Sequence, residues 1–101
     1  MKKWYQEEYR FCIEVLQVAA DNRPENCRNG HEVGDTYNCS YGCPEGLCSK
    51  SMLLLFPLME AVRSGGDLAN LLSGATKHSG SFLCPDAVVR FKLTAYRMGG
   101  N

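Results

Sequence analysis

Two runs of alternating apolar and polar residues, one near each end of the chain, restrict the folds open to this sequence more than any other feature. Residues 10–18 set Phe11, Ile13 and Val15 against Cys12, Glu14 and Leu16. Residues 88–96 set Val89, Phe91, Leu93 and Ala95 against Arg90, Lys92, Thr94 and Tyr96. Side chains alternate between the two faces of a strand, so a period of two predicts two strands, each with one buried face. Between them, residues 52–63 are largely apolar and read as a helix. Ser49 or Ser51 can cap its start through a hydroxyl, and Gly65 and Gly66 end it. Pro57 lies inside and has no amide hydrogen to donate, which predicts a kink or a break. The fold class is therefore α+β: a small antiparallel or mixed sheet with its terminal strands paired, covered by a Pro-kinked helix and a short second helix. That second helix is expected to start at Asp67, run to Leu72 and close at Gly74.

The remaining segments read more simply. Residues 21–30 and 42–50 are rich in Asn, Asp, Pro and Gly and are expected to be loops. A second strand is expected within residues 33–41, while the polar residues 76–81 read as a mobile connection. The 101 residues make a single domain, with residues 1–9 and 98–101 expected as tails. Within the helix, Met52-Leu53-Leu54-Leu55-Phe56 is apolar on all sides, more than one face on a small sheet requires. That excess predicts a homo-oligomer.

Charge and hydropathy exclude some classes of function. Eleven basic and eleven acidic side chains cancel, so there is no overall positive field to neutralise phosphates, and nucleic acid is not an expected partner. The apolar run at 52–59 is far short of the ~20 residues that span a bilayer, and no membrane association is expected. The first residues have no apolar export core, which points to the cytoplasm, where thiols stay reduced. Six cysteines in 101 residues fall below the roughly 8–10% of disulfide scaffolds. Metal binding or thiol chemistry is the expectation.

The ordered motifs Cys27-Arg28-Asn29-Gly30-His31-Glu32-Val33-Gly34-Asp35, Pro44-Glu45-Gly46-Leu47-Cys48, Gly65-Gly66, Cys84-Pro85-Asp86 and Val89-Arg90-Phe91-Lys92-Leu93 span most of the chain. In this order they resemble a family of small, uncharacterised, cysteine-containing prokaryotic proteins frequent in anaerobes. The family pattern is C-x-x-G-H-x-x-G-D, P-x-G-x-C, G-G, then C-P-D before a V-x-F strand. The resemblance implies three recurrent cysteines, here Cys27, Cys48 and Cys84. The chain departs from the family's frequent Trp early in the helix, where Met52 stands, and from its F-P-W-like turn, where Asp67-Leu68-Ala69 stand. Both positions are expected near a substrate pocket.

Cys27, Cys48 and Cys84 lie in loops close to Gly or Pro, where side chains are not committed to a core. Three thiolates can hold a four-iron, four-sulfur cluster with one iron open, and a Cys-Pro step also borders clusters in bacterial ferredoxins. An open iron is a Lewis acid, compatible with a dehydratase, lyase or desulfurase acting on a small molecule, with His31, Asp35 or Asp86 moving protons. Zinc is the alternative, assembled from Cys39, Cys43 and Cys48 with Cys27 and His31, although no C-x-x-C pair supports a zinc knuckle. Thiol redox through Cys39 and Cys43 is a third possibility. Against all three stands the plainer view that the cysteines are small buried apolar groups in a non-enzymatic, partner-binding module.

Overall fold

The computed structural model describes residues 7–98. Its frame is a four-stranded, fully antiparallel sheet of β1 (Tyr9–Val18), β2 (Thr36–Cys39), β3 (Ser79–Leu83) and β4 (Val89–Arg97), in the order β2-β1-β4-β3. The two terminal strands form its centre, with Tyr9 opposite Arg97 and Val18 opposite Val89. A bulge at Leu16 shifts the register between Val15 and Gln17. The alternation seen in the sequence resolves as expected. Phe11, Ile13, Val15, Phe91 and Leu93 are fully buried on one face, while Arg10, Leu16, Lys92 and Tyr96 are exposed.

α1 (Met52–Arg63) supplies Leu55, Met59 and Val62 to the same core. It continues through Pro57 without being split. Its end is a Schellman closure, with the Gly66 amide donating to Ala61 O and the Gly65 amide to Val62 O, and with Gly65 at φ 87°. Arg63 in the last turn packs its guanidinium 5.1 Å from the Phe11 ring centroid and 5.0 Å from that of Tyr41. It also pairs with Glu7 at 3.1 Å and donates to Ser40 O, which ties the chain after β2 to the helix end.

Three expectations are corrected. Residues 76–81 are not a mobile connection, because residues 79–81 open β3 and pair with β4 from Ser79 opposite Thr94 onward. Phe82 is the one buried residue of this edge strand, so its hydrophobic signal is weak. The second helix shrinks to a single 3-10 turn, Leu68–Asn70, with the Asp67 carboxylate accepting the Ala69 amide as the capping argument required. Tyr9 is no tail residue: it opens β1 and is buried. Residues 1–6 and 99–101 of the expected tails lie outside the described residues.

Candidate functional site

The register decides where the loops meet. β1 ends at Val18 beside Val89, where β4 begins, and Leu83 at the end of β3 faces Arg90. The end of β1 and the hairpin between β3 and β4 therefore share one end of the sheet, and residues of the loop after β1 and of the approach to α1 line a common space with that hairpin. At that end lies a cavity of about 40 Å³ whose walls include Cys27, Cys48 and Cys84. Cys12, Cys39 and Cys43 are not part of its lining. All six cysteines are free. Among the described residues no three His, Cys, Asp or Glu side chains stand close enough to hold an ion as they are. Ligation by the three thiols therefore requires these side chains to move closer together.

Each thiol is presented by its own local device. Cys84 follows β3 and precedes Pro85, which favours the extended conformation that carries the chain into the hairpin. The Ala87 amide donates to Cys84 O, and Ala87 itself takes the left-handed conformation at φ 60°. This turn brings the amides of Val88 and Val89 to the Cys84 sulfur, each at 3.4 Å. Amide hydrogen bonds to sulfur are among the levers by which proteins tune metal-bound thiolates. Cys27 follows the 3-10 turn Pro24–Asn26, and its carbonyl accepts the Gly30 amide. Cys48 opens the turn that leads into α1, its carbonyl accepting the Ser51 amide.

His31 joins two of these loops. The ring is buried, and its Nε2 accepts the Cys48 amide at 3.3 Å, with Asn29 Nδ2 also at 3.3 Å. An acceptor Nε2 leaves the proton on Nδ1, which donates to Tyr37 Oη at 2.8 Å. Asn29 Nδ2 further donates to Gly46 O at 3.0 Å. Burial lowers the His31 pKa from its ordinary value, and the Asp35 carboxylate partly opposes this. The neutral imidazole thus positions the Cys27 and Cys48 loops against each other, with both nitrogens committed. Burial raises the Tyr37 pKa, and the neighbouring Asp35 and Cys27 raise it further.

The other candidates separate. Asp35 lies away from the cavity lining, and its Oδ2 accepts the Glu32 amide at 2.9 Å in a turn. Asp86 lines the cavity, with both oxygens 3.2 Å from Lys50 Nζ. Burial raises the pKa of Cys39 against the effect of Arg63, and raises that of Cys43, with Cys48 adding to it. Neither shift favours the thiolate form that a reactive redox pair uses. Of the set considered for zinc, Cys27, His31 and Cys48 line this cavity, while Cys39 and Cys43 do not. Neither Met52 nor residues 67–69 line it, and Leu68 is instead fully buried in the core.

Sequence reasoning missed Ser51 as a site residue. It stands at the N-cap position of α1 but in a helical conformation, and its hydroxyl makes no capping bond. Ser51 is 1% exposed, lines the cavity, and has no hydrogen-bond partner for its Oγ. Its expected role as a cap had hidden this. Comparison with protein-family models, curated proteins and solved structures finds no match. No helix of the described residues is long and apolar enough to cross a membrane.

Proposed function

We propose that this chain is a cytoplasmic metalloprotein in which Cys27, Cys48 and Cys84 hold an iron–sulfur cluster with one iron open to a small molecule. The observation that supports this reading is that Cys27, Cys48 and Cys84, from three segments distant in sequence, are the cysteines among the lining residues of one cavity. Soft thiolates are the donors that iron–sulfur centres take, and three of them leave one position free. A cluster bound there supplies Lewis acidity toward a hydroxyl or sulfur substituent, the chemistry of dehydration, lyase or desulfuration reactions. His31 holds the Cys27 and Cys48 loops in register, the Val88 and Val89 amides orient the Cys84 sulfur, and Asp86 is the carboxylate within the cavity able to take up a proton. A single zinc ion on the same three thiols is the second reading, favoured by the small volume of about 40 Å³, which needs less loop movement for one ion than for a cluster. The proposal includes self-association through α1, where Leu53 is 71% and Leu54 42% exposed.

Anaerobic purification, a visible spectrum, and assays of iron, zinc and acid-labile sulfide test the reading. Iron with sulfide, lost in Cys27→Ser, Cys48→Ser and Cys84→Ser and kept in Cys12→Ser, is expected. Zinc without sulfide replaces the cluster with the single ion, and a chain that takes up neither metal sinks both. Light scattering of Leu53→Glu beside the wild type tests self-association, with a smaller species expected for the variant.

A further inference from the structure

The mouth of the cavity carries chemistry that the three thiols do not use. Arg28 and Lys50 both line it, and Arg28 forms no ion pair among the described residues. Lys50 Nζ is 3.2 Å from each carboxylate oxygen of Asp86, and the two side chains remain 43% and 53% exposed. An ion pair this open is weakly held, so its carboxylate can be exchanged for another. Directly beside it, Ser51 stands at the N-cap position of the 12-residue α1, whose N-terminus favours negative charge. Ser51 is 1% exposed and its hydroxyl has no partner, an arrangement that costs free energy until something accepts from it.

We infer that this mouth is a seat for the oxyanion group of a small molecule, which takes the place of Asp86 on Lys50 and accepts a hydrogen bond from the Ser51 hydroxyl. Asp86 is the internal stand-in, a carboxylate already held in the geometry a ligand carboxylate would adopt. Arg28, on the loop that carries Cys27, adds a second cation to the lining. A cavity of about 40 Å³ holds only a few water-sized groups, which suits a carboxylate or phosphoryl head and not a whole nucleotide. The inference rests on the thiol-centre reading for its meaning, since it names the charge of the molecule that centre would act on. It is carried by other residues and fails separately.

The test is a titration of metal-free protein, at constant ionic strength, with sodium acetate and separately with inorganic phosphate, followed by amide chemical shifts. Saturable shifts at Lys50, Ser51 and Met52 are expected. Lys50→Gln should weaken binding about three- to tenfold, Ser51→Ala by a similar factor, and Asp86→Asn should tighten it by removing the competing carboxylate. Tighter acetate binding would name a carboxylic acid as the source of the oxyanion, and tighter phosphate binding a phosphoryl compound. Absence of saturable shifts with either anion overturns the inference, as does an affinity unchanged in both Lys50→Gln and Asp86→Asn. Cys84→Ser separates the two proposals: it should abolish metal uptake and leave the anion response intact.

Discussion

Replacing His31 by Phe tests the claim that this histidine is a neutral clamp. Phe keeps the ring volume and the edge contact with Phe91, whose centroid lies 5.5 Å away, so little packing is lost. What disappears is the acceptor for the Cys48 amide and Asn29 Nδ2, and the donor to Tyr37 Oη. At about 1 kcal/mol for each of three bonds, with an added penalty for a part-buried amide left bare, the loss is about 2–4 kcal/mol. For a domain of this size that is a fall in Tm of about 10–25 °C. Urea unfolding followed by circular dichroism between pH 5 and pH 8 measures both the loss and its pH dependence. Because the folded-state pKa lies below the ordinary 6.5, the unfolded chain binds more protons in acid, and stability must rise with pH. The contribution is complete above about pH 6.5 and is lost as pH falls toward the folded-state value, with a slope of at most about 1.4 kcal/mol per pH unit. His31→Phe should lack that component. A variant within 1 kcal/mol of the wild type, or one that keeps the full acid slope, would refute the clamp.

Ser51→Ala removes a buried hydroxyl that has no partner, so metal-free protein should gain about 1 kcal/mol in urea unfolding; a loss would mean that the hydroxyl is bonded in solution. Gly66→Ala would place a methyl group 2.8 Å from the Ala61 carbonyl oxygen, the acceptor that closes α1, and should cost about 1–3 kcal/mol, read as a lower urea midpoint. Ala87→Gly relieves a left-handed alanine in the hairpin that presents Cys84, and its Tm should rise by an amount equivalent to about 1 kcal/mol. A fall in Tm would show that the turn depends on the alanine side chain.

The alternation of β1 and β4 was legible because burial of one face writes a period of two directly into residue type, and the caps and glycines around α1 follow from local backbone needs. β3 was not legible. Its Ser79, Gly80 and Ser81 carry almost no apolar signal, and the strand exists through hydrogen bonds to β4, which only the partner supplies. The candidate cysteines could be chosen from their loops, since Cys27, Cys48 and Cys84 stand near residues that free the backbone. That they line one cavity was decided by tertiary packing, which sets the end of β3, the start of β4 and the approach to α1 around the same space. Contacts with Phe91, Tyr37 and Cys48 hold His31 in place and turn a candidate base into a clamp, because the role of an imidazole depends on what lies against each nitrogen. Residue types and their spacing thus determined the elements and the reactive groups. Tertiary pairing determined which groups share a cavity, because distances between loops are set by strands far apart in the chain.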